Sequence, residues 1–296
     1  MSYFLSLLVS GISIGFVYGL IALGFVIIFK ATKVVNFTHA AIALLGAYVV
    51  ARTHESLGFW LALLVGIAVA VLVNVLIDVL VLGNARRPDP GTLSIITIGL
   101  DILLGAELRR QIGFRTYGLG DPWGTEVIRV GDSFIPQTRI AAAVVAVIVI
   151  GLFALIFRFS NWGVAMRAAS EDPEAAALMG VRLRRVSIAA WGVAGALATI
   201  AGVFFLTFPG GGVSNLAELA ILGAFPAAII GGLDSTGGAV AGGLLVGLTV
   251  TFAAGYQNEI AFLGRGVHEA APFILMFIVL LVRPTGLFGT KELHRV

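Results

Sequence analysis

Long apolar runs separated by short charged connectors dominate this chain. Residues 1–29, 56–77, 140–157, 186–217 and 235–258 contain no Asp, Glu, Lys or Arg. Each run approaches or exceeds the roughly 20 residues that cross a bilayer as a helix. Helices of a soluble protein carry a polar outer face, and these segments lack one. The pattern predicts nine spans, at about 3–29, 34–51, 58–82, 92–110, 138–158, 187–208, 217–233, 238–257 and 268–282. The second opens on Asn36, Thr38 and His39, and the seventh is short and holds Glu218 and Pro226. Both are expected to be broken or re-entrant helices, a form tolerated at membrane depth only inside protein or beside water. The expected fold is an all-α integral membrane protein, a polytopic bundle of about eight to ten transmembrane helices. It forms a single domain over 1–296.

Small residues and charges refine this picture. The first span, 27 residues from 3 to 29, would be about 40 Å long as a helix, against a hydrocarbon core of roughly 30 Å. It must tilt, kink or protrude. Gly11, Gly15 and Gly19 lie on one face of it, and Gly238 with Gly242, and Gly243 with Gly247, repeat the spacing later. Such faces let a second backbone come close, so these glycines are read as helix-packing positions. Arg and Lys mark cytoplasmic ends: Lys30 and Lys33, Arg86 and Arg87, Arg158 through Arg185, and Arg283, Lys291 and Arg295. Nine crossings then place the amino terminus outside and the carboxyl terminus inside. Arg109, Arg110 and Arg115 fall at an end assigned to the outside, although Asp121, Glu126 and Asp132 follow them.

The connector within 159–186 contains a short-helix grammar. Asp172 can cap, Pro173 suits the first helical position, Ala175 to Met179 favour helix, and Gly180 can end it. Glu171, Asp172 and Glu174 complement the positive end of the helix dipole. Fewer than about 12 residues are marginal as a free helix, so this one needs a surface to pack on.

Composition supports the membrane reading and narrows the chemistry. The chain is 59% hydrophobic and only 12% charged. Its formal charge of +3 is distributed as topology signals, which gives nucleic acid no purchase. No cysteine is present, which removes disulfides, thiolate metal sites and cysteine nucleophiles. No positive residue precedes Lys30, so the first span reads as retained rather than as a cleaved leader. His268-Glu269 has Pro272 where a zinc-binding His would stand, and the one Gly-x-Ser-x-Gly, Gly11 to Gly15, lies inside the first apolar span rather than on a strand-to-helix turn. The three lysines precede Ala31, Val34 and Glu292, so no Walker A loop exists and no nucleotide or metal site is expected in this chain.

Polar residues inside spans need a reason, since a charge at the bilayer centre costs at least about 2.5 kcal/mol. Asn36, Thr38, His39, Thr97 and Asp101 are the candidates for a translocation pathway. Asn74 and Glu218 are further polar positions, and Asp78 and Glu107 are expected to reach water from span ends. An ion-coupled transporter or channel would need paired intramembrane acids or inverted repeats. Asp101 alone is thin support for that class.

Five stretches, GFVYGLIALGFVIIF with VVNFTHAAIALLGAY, ITIGLDILL, GVAMRAASEDPEAAALMGV, AAIIGGLDSTGGAVAGGLLVG and RPTGLFG, occur in an order and spacing that resemble one family. It is the inner-membrane permeases of branched-chain amino acid importers of the ATP-binding-cassette type, a family that also includes permeases for urea and related small solutes. The resemblance implies a multi-pass protein of a bacterial inner membrane. It also implies a second homologous permease subunit, two cytoplasmic ATPases that hold ATP and magnesium, and an external solute-binding protein. The connector would be the coupling element, mapping onto Arg167, Ala168, Glu171, Asp172, Pro173, Glu174, Ala176 and Gly180. NFTHA at 36–40 departs from the commoner Asn-Phe-Ala-His-Gly, adding a hydroxyl at Thr38 and a methyl at Ala40.

Overall fold

The computed structural model describes residues 2–85, 89–120, 122–123, 126–130, 133–207, 212–214, 217–259 and 266–290. Arg86, Arg87, Asp121, Asp132, Lys291 and Arg295, used above as orientation markers, lie outside the described residues. Helices make up nearly all of the rest: α1 Ser2–Thr32, α2 His39–Leu57, α3 Phe59–Leu76, α4 Pro90–Ile112, α5 Gln137–Phe159, α6 Asn161–Glu171, α7 Pro173–Leu178, α8 Leu183–Leu206, α9 Ala217–Leu222, α10 Phe225–Gly231, α11 Thr236–Gly255 and α12 Val267–Val282. Among the described residues six helices are long and apolar enough to cross a membrane, namely α1, α3 with its extension, α4, α5, α8 and α11. The protein is an all-α, multi-pass membrane protein.

Each expected span meets a helix, with two corrections at its edges. The second begins at His39 rather than near 34, because 33–38 is unwound. The seventh is split into α9 and α10, of six and seven residues, neither long enough to cross. One element was not foreseen: β1 Val127–Val130 and β2 Ser133–Pro136 form an antiparallel hairpin between α4 and α5, with Val127 opposite Pro136. The connector also holds α6 as well as α7.

The core is built around α1. Val17, Ile21, Ala22, Val26, Ile27 and Ile28 are wholly buried, whereas Tyr3, Phe4 and Leu5 stand half exposed where the helix protrudes. Its most extensive neighbour is α11, followed by α8. Glycine sets that closeness. A Cβ at Gly15 would lie 2.8 Å from Leu244 Cα, and one at Gly11 would lie 3.1 Å from Leu248 Cα. Gly243 and Gly247 present the matching surface to Gly19, Gly15 and Gly11. Gly238 and Gly242 face elsewhere, against Gly231 and Ala227 of α10. Thus α11 carries two glycine faces, one for the central helix and one for the broken span.

The other edges follow from local chemistry. Asp89 caps α4 by accepting from Thr92 N–H at 2.9 Å and Thr92 Oγ1 at 2.5 Å, and these bonds hold its carboxyl below the usual carboxylate range. After α3 the helix widens into a π turn at Ile77–Val81 and tightens at Leu82–Asn84. At the opposite end Trp123 gathers Phe59, Trp60 and Phe204 with ring centroids 5.8 to 6.4 Å away, the amphipathic cluster expected at a membrane interface.

Filling the α1–α11 seam should cost more than filling open space. Gly243→Leu is expected to lower stability by about 1–3 kcal/mol or to prevent folding. Gly151→Ala, where nothing lies within 4 Å, should be neutral. Thermal unfolding in detergent compares them.

Candidate translocation and coupling sites

The unwound stretch between α1 and α2 has a specific support. Lys33 takes φ 59°, the left-handed region, and its N–H donates to Phe29 O at 2.7 Å, which ends α1. The chain then runs extended beside α4. Val35 N–H donates to Ser94 Oγ at 3.0 Å, and Phe37 N–H donates to Thr97 Oγ1 at 3.0 Å. Thr97 Oγ1 in turn donates toward Val35 O at 3.1 Å and Ser94 O at 2.7 Å. Two hydroxyls of α4 therefore replace the helical partners that 33–38 gave up. Thr97, expected on the pathway, is fully buried and is a fastening of this break.

Within the break Asn36 Oδ1 accepts from Thr38 N–H at 3.1 Å and from Thr38 Oγ1 at 2.5 Å, a local side-chain turn that starts α2. Asn36, Thr38 and His39 are all fully buried. The His39 ring lies 4.6 Å from the Phe25 ring and fills the space left by Gly24. Phe225 of α10 packs on both Phe25 and Phe37, at 5.3 and 5.5 Å. Asn36 Nδ2 and both His39 ring nitrogens lack partners in hydrogen-bond geometry. The structure thus brings Asn36, Thr38 and His39 into one buried polar cluster walled by aromatics, next to the start of α10.

Asp101 lies on the face of α4 that also carries Gly105 and Arg109, toward Glu218 and the backbone of Ala41 in α2. Arg109 forms an ion pair with Glu218 of α9, whose carboxylate rests on Gly105. Arg110 pairs with Glu107 at 2.7 Å. These two pairs account for Arg109 and Arg110, two of the three arginines at the end assigned to the outside, because each has an acid to neutralise it. Glu107 does reach solvent as expected, but Asp78 does not: it is 5% exposed and accepts from Ser187 Oγ at 2.9 Å. The π turn carries Asp78 inward toward α8. Asn74 is buried too, donating to Trp191 O at 2.6 Å.

In the connector Ser160 Oγ accepts from Gly163 N–H at 3.0 Å and starts α6. Asp172 Oδ1 accepts from Ala175 N–H at 2.9 Å and starts α7, with Pro173 at its first position. Gly180, at φ 89°, ends the turn while Val181 N–H returns to Ala176 O at 3.0 Å. Ala176 is buried beneath, and Leu178 and Met179 stand out at 88% and 85% exposure. Glu171, Asp172 and Glu174 are exposed around them, and Ala168 lies on α6. Arg167 faces its own chain, donating to Phe157 O and to Arg158 O at 3.3 Å.

Residues 7–282 match the family described as branched-chain amino acid transport system / permease component. The chain belongs to this permease family. LivH of Escherichia coli K12, named a high-affinity branched-chain amino acid transport system permease protein, is 28% identical over 99% of this chain and 98% of its own. A probable branched-chain amino acid transport permease protein LivH of Methanocaldococcus jannaschii is 29% identical over 94% of this chain and 90% of its own. The solved structure of PsaBC from Streptococcus pneumoniae in complex with Fab is similar at a TM-score of 0.48 and 16% identity, over 94% of this chain and 91% of that one.

At the connector end the permease encloses an open cavity of about 950 Å³, lined among others by Lys30, Lys33, Arg167, Glu171 and Asp234. Lys30 Nζ donates to Asp234 O at 2.7 Å, tying α1 to the turn before α11. The RPTGLFG stretch closes its side: Leu287 N–H donates to Ile230 O at 2.8 Å and Phe288 N–H to Gly231 O at 3.1 Å, satisfying carbonyls at the end of α10. Ser94 and Asp234 were not singled out from sequence, and Lys30 only as an orientation marker. Ser94 and Thr97, one turn apart on α4, were the available signal. Among the described residues no three His, Asp or Glu side chains gather as a metal would require.

The Arg109–Glu218 pair should hold α9 to α4. A double-mutant cycle with Arg109→Ala and Glu218→Gln is expected to give a coupling of about 1–2 kcal/mol, since the arginine is partly solvated. Thermal unfolding of the four proteins measures it.

Proposed function

We propose that this chain is the membrane-spanning permease subunit of an ATP-binding-cassette importer, carrying branched-chain amino acids through a bacterial inner membrane. The carrying observation is the co-linear similarity, over nearly the whole chain, to permeases named for that transport. The pathway includes the cluster at Asn36, Thr38 and His39, with Asp101 beside the re-entrant α9. A zwitterion with an apolar side chain suits a cluster that offers neutral polar atoms among aromatic rings and few fixed charges.

Energy comes from partners. The sequence has no Walker A loop, so the ATPases with their ATP and magnesium are separate chains. Their docking point is α7, a capped helix whose Leu178 and Met179 meet water rather than protein. Exposed apolar tips on a short fixed helix are what a groove in another protein receives. Asp172 and Gly180 fix the two ends of that helix, Glu171 and Glu174 are exposed beside it, and Arg167 holds α6 to α5. The apolar outer faces of α4 and α5, with Ile95, Leu103, Ile148 and Leu152 exposed, are available to lipid and to a second homologous permease subunit. An external binding protein delivers the solute and supplies most of the selection.

Replacing Leu178 and Met179 together by Asp should abolish solute-stimulated ATP hydrolysis by the assembled complex while leaving the permease folded in the membrane. Full stimulation in that variant would defeat the coupling role. A strain lacking the gene should lose leucine, isoleucine and valine uptake; normal uptake of all three with loss of urea instead would replace the substrate and leave the importer reading intact.

A further inference from the structure

The open cavity of about 950 Å³ at the connector end has a two-sided wall. Its apolar side comes from the last turns of α1, α5, α10 and α12, through Phe29, Phe157, Ile229 and Leu280. Its charged side comes from Lys30 and Lys33 at the end of α1, Arg167 and Glu171 of α6, and Asp234. Both α1 and α5 are long and apolar enough to cross a bilayer, so their last turns stand where hydrocarbon gives way to headgroups. The basic residues assign that level to the cytoplasmic leaflet.

The charges on this wall do not cancel. Those that act on Lys30 are Asp234, Lys33, Glu171 and Arg167. Among the described residues none of the three cations forms an ion pair. Lys30 Nζ donates to Asp234 O at 2.7 Å, and Arg167 donates to Phe157 O and Arg158 O, which leaves further N–H groups on each. Lys33 Nζ lies 5.7 Å from the centroid of the Phe29 ring. The acids are placed differently. Asp234 turns Oδ2 toward the tail, accepting from Thr290 N–H at 2.9 Å and from Thr290 Oγ1, and Glu171 is exposed. Lys291 and Glu292, which follow Thr290, are of opposite charge and lie outside the described residues.

Three cations against two acids favour an anion, and the apolar side chooses which one. Free phosphate would leave Phe157 and Leu280 facing water. A phospholipid satisfies both sides and is already present at this depth. The helices that flank the cavity carry apolar outer faces, with Ile156 and Phe159 of α5 and Leu281 and Val282 of α12 exposed, so acyl chains leaving the cavity meet hydrocarbon. Basic pockets between membrane helices on the cytoplasmic side bind lipid headgroups in this way. We propose that this cavity is a binding site for an anionic phospholipid of the cytoplasmic leaflet, its phosphate held by Lys30, Lys33 and Arg167 and its chains lying on α5 and α12. The lipid then joins α6 of the connector to the end of α1. The site holds whichever solute the permease carries.

The full chain in detergent, titrated with dioleoylphosphatidylglycerol, dioleoylphosphatidylcholine and inorganic phosphate, tests this by native mass spectrometry. One phosphatidylglycerol should bind about fivefold or more tightly than phosphatidylcholine, and excess phosphate should not displace it. Lys33→Gln, which removes a cation and no described side-chain hydrogen bond, should weaken it by roughly fivefold. Leu280→Trp fills the apolar side, leaves every charge in place and should weaken it as much, which keeps the test open should the first variant misfold. Arg115→Gln, at the opposite end, should leave binding unchanged. Equal binding of the two lipids, displacement by phosphate as at a soluble-anion site, unchanged affinity in both cavity variants, or an equal loss in Arg115→Gln would overturn the site. Ejection of the lipid when the ATPase subunits join the permease would assign the cavity to the ATPase and overturn it as well.

Discussion

A backbone that unwinds within lipid must find its hydrogen-bond partners in protein, and this constraint organises the fold. The chain unwinds at 33–38 and again between α9 and α10. At the first break Ser94 and Thr97 supply the missing donors and acceptors. Beside the second, Glu218 binds Arg109 and the RPTGLFG stretch covers carbonyls at the end of α10. Each unpaired main-chain group in hydrocarbon would cost several kcal/mol, so the broken elements depend on α4 and on the RPTGLFG stretch.

Helix association in a bilayer gains little from the hydrophobic effect, since lipid tails are as apolar as leucine. Close backbone contact has to replace it. The seam of Gly11, Gly15 and Gly19 against Gly243 and Gly247 makes α1 a central post. Around that post stand the polar cluster near His39 and the tie from Lys30 to Asp234.

Much of this was legible in the sequence because lipid imposes a strong rule. Uncharged runs located five of the six long apolar helices, all but α4, and the Asp172, Pro173 and Gly180 spacing located α7. The polar opening of the second span and the Glu218 and Pro226 of the seventh marked both broken helices. What escaped depended on distant partners. The bonds of Thr97 to 33–38 were not legible, because those residues lie some sixty positions away. Asp78 read as a snorkelling acid because nothing local announces the π turn that carries it inward. Gly238 and Gly242 read as packing positions, but nothing local says that the helix they meet is α10.

The central claim is that α7 meets a separate ATPase. Because the chain contains no cysteine, a single one at Leu178 is a clean reporter in the assembled complex. The account predicts that Leu178→Cys crosslinks to the ATPase subunit in native membranes, whereas Ile148→Cys on the outer face of α5 does not. A cysteine at 178 that never crosslinks to the ATPase and stays open to soluble thiol reagents in the complex would contradict it.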